Sequence, residues 1–244
     1  MDFTYTELSP LKPVLRANWR RKRLVVISPS SAWGSLLIQD AAPNFDLMTY
    51  SFDGSEATEL CTSLPGWKGH FSFVSEMWGE SLHKLFPLIP PEYEVVQFLN
   101  SDIFISYADI NKFFDYVDMF ALDISQPALS LNSFYSLPFT LKKTSIEVEP
   151  IPFVEGMMPC LSRAVIDELV RLDLWTISGW GVDQFLFQII VDRLKLRPQA
   201  IVHAVTALHT KPVESSQMRF SNGLTADEER NQLGLACQRL FGQA

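Results

Sequence analysis

Four carboxylates fall where apolar runs stop or helical runs begin: Asp53, Asp102, Glu155 and Asp183. Two histidines, His203 and His209, come late in the chain. A hard divalent cation that grips a diphosphate needs only one or two protein carboxylates, sometimes with a histidine, because phosphate oxygens fill the remaining positions. Asp102 with His209 meets that requirement. For His209 the alternative is a loop histidine of no consequence. His203 lies inside the apolar run Ala200 to Leu208 and reads as a satisfied core histidine.

Asp102 belongs to the stretch around which the chain is organised, Glu92 to Ser106. Val95 to Leu99 is a buried β run, broken by the polar triplet Asn100-Ser101-Asp102. Ligands of open α/β sheets bind outside the carboxyl ends of the strands, so a carboxylate there can reach a metal or a substrate hydroxyl. A polar turn capping a core strand is the other reading.

The flanking sequence supplies the elements such a strand needs. Leu24 to Ser28 is an apolar run of strand length, followed by the ligand-facing loop Pro29 to Gly34. That loop is not Gly-x-Gly-x-x-Gly, which disfavours a dinucleotide fold. Phe45 to Phe52 is a second strand, ending at Asp53-Gly54. Leu64 to Gly69 reads as a loop, and Phe71 to Phe86 carries a helical period stopped by Pro87, Pro90 and Pro91. Asp109 to Phe120 is a helix with Ile110, Phe113, Phe114 and Val117 on one face. This alternation of strands and helices is the signature of a mixed, mainly parallel α/β sheet flanked by helices. Further on, Ile124 to Leu129 contains Pro127 and is expected at a sheet edge. Thr140 to Val148 alternates like an antiparallel strand. Ser162 caps a helix burying Val165, Ile166, Leu169 and Val170, and Val182 to Leu194 is an apolar helix after a glycine- and tryptophan-rich loop. Thr225 and Glu228 stand in capping-box register before a terminal helix with Leu233, Cys237, Leu240 and Phe241 as its apolar stripe.

Composition narrows the function classes. The 244 residues are 47% hydrophobic with 18 Phe, enough for a sizeable core. Twenty-eight acids against 20 Lys and Arg give a net charge of −8, which argues against a general nucleic-acid binder. Cys61, Cys160 and Cys237 are widely spaced and odd in number, fitting reduced thiols in a cytoplasmic protein. No secretory signal opens the chain, and no run of roughly 18–20 apolar residues could span a membrane. The basic cluster of Arg16 and Arg20 to Arg23 is a solvated lead-in or a contact for anionic lipid at the inner membrane face. There is no internal repeat. The expected organisation is an irregular basic lead-in over 1–23, a single domain over 24–215, and a linker with an amphipathic helix packed on it over 216–244.

Five short motifs occur in one order: Asn100-Ser101-Asp102, Gln126-Pro127-Ala128-Leu129, Phe153-Val154-Glu155 with Ser162-Arg163, Gly179-Trp180-Gly181-Val182-Asp183, and His209-Thr210-Lys211-Pro212-Val213. In this order and spacing the chain resembles a family of glycosyltransferase-like proteins with the GT-A type nucleotide-sugar fold, over roughly residues 24–215. The resemblance implies transfer of a sugar from a nucleotide-diphosphate donor to a carbohydrate, lipid-linked or other hydroxyl acceptor, assisted by Mn2+ or Mg2+. It implies Asp102 and His209 at the metal and Asp183 as general base on the acceptor hydroxyl, where the alternative is an acid facing the helix macrodipole. Lys68 and Lys211 become phosphate contacts. Asp53, Asn100, Gln126, Glu155 and Trp180 become donor contacts, and Trp33 a second stacking residue. The family has an acid where this chain has Asn100, which removes one ligand charge. A non-catalytic nucleotide-sugar or glycan-binding relative in polysaccharide assembly is the alternative that this substitution favours.

Overall fold

The structure, a computed structural model, describes residues 11–14, 21–28, 37–212 and 218–242. Among these residues ten strands form one sheet in the order β2-β6-β10-β7-β9-β5-β1-β3-β4, with β8 paired to β10 off that path. The strands are β1 (Arg23–Ile27), β2 (Leu37–Ile38), β3 (Asp46–Ser51), β4 (Trp67–Ser72), β5 (Val95–Leu99), β6 (Ile103–Ser106), β7 (Ile124–Leu129), β8 (Val148–Pro150), β9 (Cys160–Ser162) and β10 (Ala200–His209). The helices are α1 (Glu59–Thr62), α2 (Trp78–Leu85), α3 (Tyr107–Met119), α4 (Arg163–Leu172), α5 (Phe187–Leu194) and α6 (Ala226–Phe241).

Strands β4, β3, β1 and β5 run parallel, and β7 runs parallel to β10. Between these two groups lies β9, antiparallel to both β5 and β7. The carboxyl ends of β1, β3, β5, β7 and β10 therefore meet on one edge, and the segment entering β9 arrives at that same edge. Each core strand is buried on both faces, as a sheet covered on both sides requires. In β1, Val25 and Ile27 join Phe113, Phe114 and Val117 of α3, while Leu24 and Val26 join Leu82, Ile166 and Ile190 on the other side. The period of two along the strand produces that division.

Several expectations are revised. Strand β7 lies inside the sheet rather than at its edge, with every residue buried. Pro127, which has no N–H to donate, faces Val202, after which β10 jumps in register to Thr206. The displaced His203 and Ala204 amides donate to the Glu147 carbonyl at 2.7 and 3.2 Å instead. A bulge is the setting in which a sheet tolerates proline. Gly69 and Phe71 lie in β4, and the helix covers only Trp78–Leu85. Pairing with β3 wins because a short apolar run fits either period. Thr140 to Val148 is no strand: a 3-10 turn spans Pro138–Thr140, and only Val148–Pro150 pairs with β10. Val170 and Leu240 are exposed rather than inward. The capping box at Thr225 and Glu228 forms as the sequence indicates.

The basic lead-in is also revised where it is described. Arg21 is buried and binds Asp118 at 2.7 Å and the carbonyls of Val117 and Leu122, so it caps the end of α3. Arg23 is buried against Asp115 and Asp118. Neither can reach a membrane surface. Arg16 and Arg20 lie outside the described residues, as do Trp33 with most of the loop after β1, and Val213. Among the described residues no helix is long and apolar enough to cross a membrane.

Candidate functional site

Strand direction brings Asp102 and His209 together. Asp102 follows β5, and His209 ends β10, which pairs antiparallel with β6 through His209 and Ile103. Thr210 locks the junction, its N–H and hydroxyl both donating to the Asp102 carbonyl at 2.9 and 2.8 Å. The Asp102 Oδ2 lies 3.4 Å from His209 Nε2, while Oδ1 is buried with no hydrogen-bond partner. His209 Nδ1 is 2.9 Å from the Phe134 carbonyl. A carbonyl only accepts, so Nδ1 carries a proton and Nε2 is the nitrogen that faces the Asp102 carboxylate: protonated, it donates to that carboxylate, and deprotonated, it offers its lone pair to a cation. That is the arrangement by which a backbone carbonyl orients a metal-ligating histidine. Burial opposes charging of the His209 ring, but the Asp102 carboxylate and the Phe134 carbonyl outweigh it and raise its pKa.

An orphaned carboxylate oxygen beside an oriented imidazole nitrogen suits a hard divalent cation that takes its other ligands from phosphate. No group of three or more ligating side chains occurs among the described residues. Asn100 stands at the head of the turn, its N–H donating to the Met157 carbonyl at 2.9 Å and its side chain half-buried.

Two further carboxylates complete the cluster. Glu155 is buried, and its N–H donates to the Gln126 Oε1 at 2.6 Å, which fixes its place beside β7. Its Oε2 is buried without a partner. Burial, helped by the Asp183 charge, pushes the Glu155 carboxyl up to about 7. Asp183 opens a π-helical segment, Val182–Leu186, that runs into α5. Its carboxylate accepts the N–H of Gly156 at 3.1 Å and of Gln184 at 2.9 Å. Burial raises it to about 6 against the pull of those amides.

The glycine-rich loop before Asp183 is shaped by contact. Gly179 and Gly181 have φ of 85° and 89°, left-handed values that suit glycine. A Cβ on Gly79 would lie 2.1 Å from the Gly179 nitrogen, so the start of α2 can approach this loop only as glycine. Trp78 Nε1 donates to the Gly156 carbonyl, and its ring tilts against buried Tyr50 at 6.2 Å.

The other expected site residues are distributed less favourably. Lys68 sits at the amino end of β4, 3.5 Å from Asp46, on the sheet edge opposite the cluster. It is corrected from phosphate contact to edge ion pair, because a parallel strand has only one end at the site. Asp53 lies at the correct edge but is exposed, and its Oδ1 accepts the Ser55 N–H at 3.0 Å as a turn cap. The Ser55 hydroxyl, together with that bond, lowers its pKa. The Trp180 ring is covered by Arg230 at 5.8 Å. Lys211 is exposed just beyond His209. Arg163 binds the carbonyls of Pro90 and Tyr93 at 2.7 and 3.1 Å, a structural role at the far edge. His203 is fully buried, its Nδ1 accepting the Lys143 N–H at 3.1 Å and its Nε2 lying 3.2 Å from Glu149.

Sequence reasoning missed Thr210, Trp78 and Glu229. Glu229 holds the glycine-rich loop from α6, where only its capping-box neighbour Glu228 carried a signal.

Comparison with solved structures finds the same fold in other chains. S. aureus TarS 1–349 in complex with UDP-GlcNAc superposes with a TM-score of 0.62 at 14% identity, covering 89% of this chain and 66% of that one. A longer S. aureus TarS structure gives 0.56 at 13% identity, over 78% of this chain and 37% of that one. GalNAc-T7 with UDP, GalNAc and Mn2+ gives 0.53 at 11% identity, over 80% and 44%. The chain thus spans at most 66% of these structures' length. No protein-family profile matches the chain, and no curated protein does. The shared property at these identities is the fold, a GT-A-like mixed α/β sheet flanked by helices.

Proposed function

We propose that this chain is a glycosyltransferase that takes a sugar from a nucleotide-diphosphate donor, with Asp102 and His209 holding Mn2+ or Mg2+ against the diphosphate. The observation that carries this reading is the orphaned Asp102 oxygen beside an oriented His209 nitrogen, at the carboxyl edge of a GT-A-like sheet. Asp102 and His209 would hold the cation, and its charge would offset the negative charge that develops on the departing nucleoside diphosphate. Asp183 accepts the proton of the acceptor hydroxyl; at about 6 its carboxyl is ionised at neutral pH, and the Gly156 and Gln184 amides aim it. Glu155, whose Oε2 has no partner, meets a hydroxyl of the donor sugar, with buried Gln126 holding it in place from behind, and exposed Lys211 meets the phosphates. UDP-GlcNAc is the first donor to test, since TarS and GalNAc-T7 were captured with UDP-GlcNAc or UDP. The acceptor is a glycan, a lipid-linked carbohydrate or another hydroxyl compound. The catalytic domain covers 24–215, and the protein works in the cytoplasm, with its three cysteines reduced and buried.

Asn100 favours a second reading, a non-catalytic nucleotide-sugar or glycan-binding relative. Binding of UDP-, GDP-, CMP- and TDP-sugars with and without Mn2+, followed by donor hydrolysis, separates the two. The enzyme reading predicts metal-linked binding of one nucleotide and slow release of its sugar. In Asp102→Ala the metal dependence should vanish with the fold intact. In Asn100→Asp, Mn2+ should bind more tightly, by roughly tenfold, or about 1.4 kcal/mol. Metal-linked binding without hydrolysis in wild type and Asn100→Asp alike selects the non-catalytic relative, and binding to no donor rejects both readings.

A further inference from the structure

The terminal helix reaches the site through one buried carboxylate. Glu229 of α6 is 3% exposed, although glutamate is a residue that water normally retains. Its Oε1 accepts the Ile177 N–H at 3.0 Å and its Oε2 the Ser178 N–H at 2.9 Å, while the Asn222 amide donates to Oε1 at 2.8 Å. Two backbone donors in a loop sandwiched between helices are thereby satisfied by one charge, which makes stronger hydrogen bonds than a neutral acceptor would.

The same loop is held from the other side by α2. The Ile177 carbonyl accepts the Glu80 N–H at 3.1 Å, beside the Gly79–Gly179 approach. Within the loop, Trp180 N–H donates to Ser178 Oγ and the Thr176 hydroxyl to the Trp180 carbonyl, both at 3.1 Å. Helix α6 also crowds the exit of the loop: a Cβ on Gly181 would lie 3.2 Å from Arg230 Cγ. Asp183 follows two residues later.

We infer that Glu229 is a positioning residue for Asp183: it clamps the 177–181 loop from a helix outside the sequence motifs, and so aims the carboxylate at the head of the following helix. The inference rests on the proposed role of Asp183 and assigns Glu229 no contact with the donor. Its test uses the full chain, Mn2+ and UDP-GlcNAc, with Glu229→Gln compared against Leu233→Ala. Leu233 is buried on the same helix but contacts the apolar core, so its variant loosens α6 without unpairing the loop.

In Glu229→Gln, backbone amide exchange at Ile177 and Ser178 should accelerate at least about tenfold, and kcat for UDP-GlcNAc hydrolysis should fall at least about tenfold with KM within about twofold. Leu233→Ala should lower Tm with kcat unchanged. Unaltered exchange at Ile177 and Ser178 overturns the clamp whatever the activity. Accelerated exchange with unchanged kcat, or an equal kcat loss in Leu233→Ala, overturns the positioning role. A wild-type protein without turnover counts against the glycosyltransferase reading, and with it the aiming of Asp183, while the exchange comparison still decides whether the clamp exists.

Discussion

Glu155 and Asp183 are two carboxyls whose surroundings hold them well above the ordinary carboxylate range, Glu155 to about 7 and Asp183 to about 6. For Glu155 the first cause is burial, and the Asp183 charge adds to it. A folded-state value above the ordinary 4.5 means that the folded protein binds the extra proton. Stability is therefore present at low pH and is lost as pH rises from about 4.5 to about 7. Glu155→Gln removes that dependence. Relative to this variant, wild type should lose about 3 kcal/mol of unfolding free energy across the window. Urea unfolding at a series of pH values measures the gap, and a gap that does not change with pH would mean that Glu155 ionises like a surface acid.

Glycine placement explains how α2 and the loop before Asp183 come so close. Gly79 has no room for a methyl group, since a Cβ would overlap the Gly179 backbone nitrogen and the Thr176 carbonyl oxygen at 2.1 and 2.3 Å. Both clashing atoms belong to backbone, so the loop itself must move. Gly79→Ala should cost more than about 3 kcal/mol and displace Asp183. Gly69, in β4, is the internal contrast, because a Cβ there meets nothing within 4 Å. Gly69→Ala should change stability by less than about 1 kcal/mol, with the sign set by strand entropy. Denaturant midpoints for the two variants decide it: equal losses would show that the close approach is not rigid.

In the proposed reading ligand linkage extends over the entire domain, because the proposed site draws residues from the ends of β5 and β10, from the entry to β9 and from the start of the π-helical segment. A donor that bridges these parts can bind only when all are folded. With free UDP-GlcNAc and Mn2+ at about 100 times the dissociation constant, unfolding should become harder by about 2.7 kcal/mol. The gain should appear as a rise in Tm, and EDTA should abolish most of it. A Tm shift that survives EDTA would remove the cation from the donor complex.

The strand Val95–Leu99 with its polar end, the α3 face of Ile110, Phe113, Phe114 and Val117, and the capping box at Thr225 were all legible in local pattern, because burial period and cap chemistry act over a few residues. Asp102 and His209 could be nominated by residue type. Their 3.4 Å approach could not, since it depends on β10 pairing antiparallel to β6 across more than a hundred residues. The central position of the proline-bearing β7 was hidden for a related reason: the register jump that accommodates Pro127 lies in β10. Lys68 and Lys211 are alike as letters, and strand direction alone sends one to each edge of the sheet. The grip of Glu229 on the Ile177 and Ser178 amides is the same kind of fact. Composition and periodicity set which segments bury and which carry charge, whereas the assembly of distant polar atoms into one site waits on how the segments pair.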